Sequence, residues 1–263
     1  MRRTLDQRWR VMLPPTMASS FDRVDYANWL NGSRESAAIA VPLVMDEIGP
    51  RSVVDVGCGL GAWIAVFSEH GATDVLGIDG PWVDQALLEV PAEAFQAADL
   101  SKPLEIGRRF DLAVCLEVAH LLEPSLAERL VLTLMSLSEV VVFSAAIPGQ
   151  GGFGHLNEQW PRYWAELFAA YGYVATDPFR ARLWEEPEVK WWFAQNMICF
   201  VDRPALNRLP SLGKYVCASG SPLPLVHPQC FARPEEEEHS AAPPARPSRL
   251  PWRRSGWRPT SKG

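Results

Sequence analysis

Residues 148–168, PGQGGFGHLNEQWPRYWAELF, place an imidazole, two amides, a carboxylate and two indoles within ten positions. His155 is the one side chain here that exchanges a proton near neutral pH, so it is a candidate general base. Asn157 and Gln159 could orient hydroxyl groups, and Trp160 or Trp164 could stack on a ring. A plainer reading makes Asn157 a helix cap, sets Glu158 at the positive end of that helix and buries the tryptophans.

A second group lies upstream. Residues 52–63, SVVDVGCGLGAW, run from an apolar stretch through Asp55 to Gly57, Gly59 and Gly61 at every second position. Glycines after a strand permit positive φ and let a ligand approach the backbone where a β-carbon would collide. The spacing is G-x-G-x-G. A dinucleotide fingerprint reads G-x-G-x-x-G, so the third glycine comes one position early for a nicotinamide cofactor. Asp79 follows Gly57 by 22 residues, where its carboxylate can accept hydrogen bonds from vicinal ribose hydroxyls. Asp99, in AADL, can take a hydrogen bond from an adenine amino group. Leu116 and Glu117, in LEVA, fall on the rim where cofactor and acceptor should meet.

These residues need a scaffold that brings loop ends together. Near-continuous apolar runs at 52–56, 74–79, 110–116 and 139–145 suit parallel strands buried on both faces. Helical spacing separates them at Ala62–His70, Val83–Leu88 and Leu126–Leu137, where Leu126, Leu130, Leu134 and Leu137 form one stripe. Ser33–Glu47 reads as a helix with Ser33 as its N-cap, and Pro161–Tyr171 as a helix with proline in its first turn. WWFAQNMICFV (191–201) reads as a late strand containing Gln195 and Asn196. The alternation predicts an α/β fold: an open, doubly wound, mostly parallel seven-stranded sheet. Ligands in such sheets bind beyond the carboxyl ends of the strands.

On D-V-G-C-G-x-G, G-I-D, A-D-L and F-D-L-x-x-C-L-E-V-A, in that order, the chain resembles the class I S-adenosylmethionine-dependent methyltransferases over roughly residues 30–200. The resemblance implies that Asp55, Gly57, Cys58, Gly59 and Gly61 hold the methionine end of S-adenosylmethionine. It sets Asp79 and Gly80 at the ribose, Asp99 and Leu100 at the adenine, and Leu116 and Glu117 along the cleft. GHLNEQW resembles a segment of a bacterial subgroup associated with saccharide and secondary-metabolite pathways. This implies a small-molecule acceptor bound by His155, Asn157, Glu158, Gln159 and Trp160, with His155 as first candidate base and Glu117 and His120 behind it. Relatives often read L-E-V-A-E-H-L where this chain reads LEVAHLLEP, which leaves any role of that second acid and histidine unassigned here. No His/Asp/Glu spacing suggests a metal. Two other readings are an NAD-dependent oxidoreductase, disfavoured by the early third glycine, and a catalytically silent cofactor-binding or interaction domain.

Composition limits the partners. Of 263 residues, 48 % are hydrophobic and 21 % charged, with net charge −6. Residues 1–17 carry +3 and residues 203–263 carry +6, so residues 18–202 carry −6 − 3 − 6 = −15. So acidic a middle suits neither nucleic acid, whose binding needs Lys and Arg on phosphates, nor a membrane span, for which no apolar run is long enough. MRRTLDQRWRVMLPPTMASSF lacks the apolar core of a secretory signal, and the five cysteines show no C-x-x-C pair, so the expected setting is cytoplasmic with free thiols. The expected organisation is an N-terminal extension (1–30), a methyltransferase domain (31–205) and a Pro/Arg-rich, mostly disordered tail (206–263). Eleven of the 23 prolines lie in residues 203–263, and Trp252 and Trp257 among arginines make the tail a candidate for an unknown partner.

Overall fold

A computed structural model describes residues 23–152 and 154–232, with side chains from residue 32 onward. Helix α1 (Arg23–Glu47) leads into β1 (Ser52–Val56), α2 (Ala62–Glu69), β2 (Asp74–Asp79) and β3 (Phe95–Ala97). Then come β4 (Leu112–Leu116), α3 (Ala127–Leu137), β5 (Val140–Ser144), α4 (Pro161–Ala169) and β6 (Tyr173–Thr176). The short helices α5 (Arg180–Leu183) and α6 (Trp191–Asn196) precede β7 (Ile198–Asp202), and α7 (Pro210–Gly213) follows.

The seven strands form one sheet in the order β3-β2-β1-β4-β5-β7-β6. Pairing is parallel from β3 to β5 and antiparallel at both edges of β7. The order reverses between β1 and β4, which fixes the switch point beside the glycine turn.

Alternation along each strand sends residues to opposite faces of the sheet. Leu112, Val114 and Leu116 pack with Ala37, Val41, Ile64, Phe67 and Phe193 of α1, α2 and α6. Ala113 and Cys115 pack with Leu130, Leu134, Trp164 and Phe168 of α3 and α4. Each fully buried aliphatic or aromatic side chain contributes about 1.5–3 kcal/mol, so both layers stabilise the strands that present the site. Phe168 stacks on Phe200 with centroids 4.0 Å apart, closing the far layer.

Several elements differ from the sequence reading. Gln195 and Asn196 end helix α6, and the late strand begins only at Ile198. An apolar run buried on all sides carries no period that separates helix from strand. Val83–Leu88 forms only a 3-10 turn at Gln85–Leu87, because the Asp84 side chain accepts from the Ala86 amide and favours a turn. Ser33 lies inside α1, which starts ten residues earlier, at Arg23. Strands β3 and β6, three and four residues long, lacked a legible pattern.

The chain stays folded past residue 206. Leu212 is fully buried, Val216 bridges to Thr176, and the segment to Phe231 packs within the domain. This packed segment falls inside the stretch, from 206, that composition marked as mostly disordered. Residues 1–22 and 233–263, including Trp252 and Trp257, lie outside the described residues. All five cysteines are free thiols. Among the described residues no helix is long and apolar enough to cross a membrane.

Candidate active site

The carboxyl ends of β1, β2, β4 and β5 converge. Gly57, Gly59 and Gly61 all have positive φ, at 87°, 56° and 86°. This turn is tied to β2: the Gly57 amide donates to Ile78 O (2.7 Å), and the Gly59 amide to Asp79 Oδ2 (2.7 Å). Asp79 Oδ1 accepts from the Gly80 amide at 2.6 Å. Burial raises the Asp79 carboxyl above its ordinary range, against the pull of these two amides. Asp55 is buried between β2 and β4, and desolvation followed by repulsion from Asp79 pushes its pKa up to about 8.

Just past β4 stands Glu117, the one described non-glycine residue with positive φ (57°). Such a backbone is costly for a side chain bearing a β-carbon and persists where the surroundings over-determine it. Its amide donates to Ser144 at the end of β5, at 3.1 Å to the carbonyl and 3.0 Å to Oγ. Burial lifts its carboxyl to about 7, while hydrogen bonds from Ser144, Asn196 and Gln150 hold the rise in check. Leu116 is buried beside it.

The loop after β5 doubles back on the turn after β4. Glu158 Oε2 accepts from the Gly149 amide (2.8 Å), and Oε1 accepts from the Gly151 amide (2.7 Å) and meets His155 Nδ1 (2.8 Å). Burial alone would raise the Glu158 carboxyl, but His155 and the two amides outweigh it and hold it below the ordinary range. The ionised carboxylate only accepts, so Nδ1 of His155 carries hydrogen and the lone pair of the neutral ring is on Nε2. Gly152, at φ 140°, lies against that ring: a β-carbon there would stand 2.5 Å from Nε2.

His120 packs on His155 with ring centroids 4.1 Å apart. Its Nδ1 accepts from the Ala146 amide at 3.0 Å, and its carbonyl accepts from the amides of Leu156 and Asn157. Burial, and then His155, lower its pKa to about 3. His120 therefore stays neutral with its basic nitrogen already used, and it acts as a seat for His155.

The plain helix-cap reading holds for Trp164, which is buried, but not for Asn157 or Trp160. Trp160 occupies the N-cap of α4 without a side-chain cap, and 41 % of it is exposed. Trp164 belongs to the core. Asn157 is 2 % exposed; its Oδ1 accepts from Gln159 Nε2 at 3.0 Å, and its Nδ2 meets no acceptor among the described residues. A buried donor left without a partner is costly unless a ligand or water takes it. Asp99 sits on an exposed turn, where Oδ1 accepts from the Ser101 amide (2.9 Å) and Oγ (2.6 Å). Leu100 is half-buried beside it.

Sequence reasoning missed Ser144, Gln150, Arg180 and His227. Gln195 and Asn196 were named, but on the wrong element. Ser144 closes the readable strand β5 and the others lie in loops or late segments, and spacing gives no sign of which of these ends meet.

The methyltransferase-domain family matches residues 42–209, well over half of the chain. The chain belongs to that family. It is a class I methyltransferase and its cofactor is S-adenosylmethionine. The glycine turn, the half-buried Asp79 and the buried acids fit a group that carries a ribose and a cationic sulfur. The fold is similar to the sugar N-methyltransferase KedS8 from Streptoalloteichus sp ATCC 53650, at 18 % identity and TM-score 0.54, covering 70 % of this chain and 94 % of that one. It is similar to the plantazolicin methyltransferase BpumL, at 15 % identity and TM-score 0.51, covering 75 % and 97 %. It is also similar to CalS10, an amino pentose methyltransferase from Micromonospora echinaspora, at 15 % identity and TM-score 0.50, covering 70 % and 98 %. No functionally curated sequence matches the methyltransferase.

Proposed function

We propose that the enzyme methylates a hydroxyl of a small molecule, a saccharide or natural product, with His155 as general base. The observation that carries this reading is the His155–Glu158 pair. A carboxylate anchored by two backbone amides holds an imidazole in the tautomer that can accept a proton at Nε2. The orphaned Nδ2 of buried Asn157, two residues away, is a donor suited to an acceptor oxygen. Two proteins of similar fold, a sugar N-methyltransferase and an amino pentose methyltransferase, are consistent with a saccharide acceptor.

Asp55 and the glycine turn hold the methionine end of the cofactor. Cys58 and Gly80 flank the turn and Asp79. Asp79 takes the ribose hydroxyls, and Asp99 with Leu100 closes the adenine end. When bound, S-adenosylmethionine supplies a methyl group already activated on a sulfonium, so the protein contributes alignment and electrostatics. Glu117, where ionised, gives the cleft a negative potential that suits that charge, while Asp55 is held largely protonated near neutral pH. His155 Nε2 would take the proton that the acceptor hydroxyl gives up on methylation, and Glu158 would stabilise the resulting imidazolium. Gln159 and Trp160 border the acceptor.

Incubating the full chain with methyl-labelled cofactor and a panel of hydroxylated and amine-bearing sugars and natural products tests the assignment. Label on an acceptor oxygen supports it, and label found only on nitrogen overturns the hydroxyl reading.

A further inference from the structure

A chain of buried amides connects Glu117 to the segment that follows β7. The His227 amide donates to Gln195 Oε1 at 2.8 Å. With that oxygen fixed, Gln195 Nε2 must point the other way, and it donates to Gln150 Oε1 (2.9 Å) and Asn196 Oδ1 (2.9 Å). Asn196 is thereby oriented in turn: its Nδ2 donates to Gln150 Oε1 (3.0 Å) and Glu117 Oε1 (3.3 Å). Gln150 is fixed independently, since its Oε1 also accepts from the Ile147 amide at 3.2 Å. Glu117, Gln150, Gln195 and Asn196 are all at least nine-tenths buried.

Arg180 secures the far end. Fully buried, it donates through Nη1 to Leu223 O (2.9 Å) and Gln195 O (3.3 Å) and is gripped by Asp177, with Nη2–Oδ2 at 2.6 Å. One guanidinium thus joins residues 217–231, a strap over the domain, to the helix carrying Gln195 and Asn196. An amide side chain has an oxygen end and a nitrogen end, so fixing one amide in a closed network fixes the next.

We propose that Gln195 is a positioning residue, which reads the backbone amide of His227 in the strap and, through Asn196 and Gln150, sets the hydrogen bonds that hold the Glu117 carboxylate at the cofactor cleft. The inference rests on the reading that Glu117 lines that cleft. The groups facing its carboxylate are Ser144 from β5, Gln150 from the following loop and Asn196 from α6, with the buried Cys115 thiol nearby on β4. All donate to or favour the ionised carboxylate except the thiol, which burial keeps protonated.

His227 allows the amide to be tested apart from the ring. Its φ of −70° and ψ of 139° are compatible with proline. His227→Ala keeps the N–H and removes the imidazole; His227→Pro removes both. In the full chain with carbon-13-labelled glutamate, the Glu117 carboxyl resonance, assigned with Glu117→Gln, is followed against pH. His227→Pro should move its midpoint up by at least about one pH unit relative to His227→Ala, since donors to the ionised form are lost. Gln195→Met should do the same and decides alone if the proline variant fails to fold. S-adenosylhomocysteine affinity, measured on the same samples, should weaken in parallel. A Glu117 midpoint unmoved in both variants overturns the inference while leaving the proposed activity standing. Loss of transfer on His155→Ala with no change at Glu117 bears only on the activity.

Discussion

Val118 fills the space in which any residue other than glycine at position 57 would carry its β-carbon. The turn after β1 and the loop after β4 are thus packed directly on one another. Positive φ at Gly57 adds a second reason for glycine there. Gly57→Ala should lower stability by about 1–3 kcal/mol and weaken S-adenosylhomocysteine binding, measured by urea unfolding and calorimetric titration. A variant with unchanged stability and affinity would remove the turn from the site.

Glu117 makes stability depend on pH in a defined direction. Its carboxyl is raised from 4.5 to about 7, so the folded protein holds that proton more tightly than the unfolded chain. The associated stability is fully present below about pH 4.5 and is lost as pH rises towards about 7. The neutral side chain of Glu117→Gln does not follow this course. The variant should match wild type near the acid end of the window and exceed it by on the order of 1–3 kcal/mol above the window. Chemical unfolding across that range checks the slope; a constant difference would show that Glu117 is not buried as described.

His120 gives the opposite slope. Its pKa falls from 6.5 to about 3, so the folded state resists protonation. Its contribution is present above about pH 6.5 and is lost as pH falls towards about 3. His120→Phe keeps a ring against His155 but leaves the Ala146 amide without its acceptor. It should cost about 1–3 kcal/mol near neutral pH, with the deficit shrinking on acidification. Denaturation midpoints of the two proteins at several pH values decide this.

Glu158 should matter through His155. In Glu158→Gln an amide replaces the carboxylate, so the fixed tautomer and the charge that stabilises the imidazolium are both weakened. Turnover should fall about tenfold or more while S-adenosylhomocysteine affinity stays near wild type. A change confined to cofactor affinity would contradict this placement of the pair.

Legibility in the sequence followed burial and period. Strands β1, β2, β4 and β5 were readable because Val, Ile and Leu runs bounded by glycine and acids have few other uses. Asp55, Asp79 and Glu117 were found through their positions at the ends of those strands. His155 and Glu158 were recognised as a cluster, but their mutual contact depends on Gly149 and Gly151 bending the loop back, which no spacing rule shows. Gln195 and Asn196 stood out as polar residues in an apolar run, yet helix and strand were indistinguishable there. The strap to Phe231 was hidden by its prolines, since its order comes from Arg180 and Leu212 meeting partners far away in sequence.

Methyl transfer by wild type and His155→Ala, compared at equal cofactor occupancy, tests the central claim most directly. With an acceptor hydroxyl that the wild type labels, His155→Ala should lower kcat by about 10²–10⁴-fold, with S-adenosylhomocysteine affinity and the unfolding midpoint essentially unchanged. Turnover by His155→Ala equal to that of wild type would contradict the account.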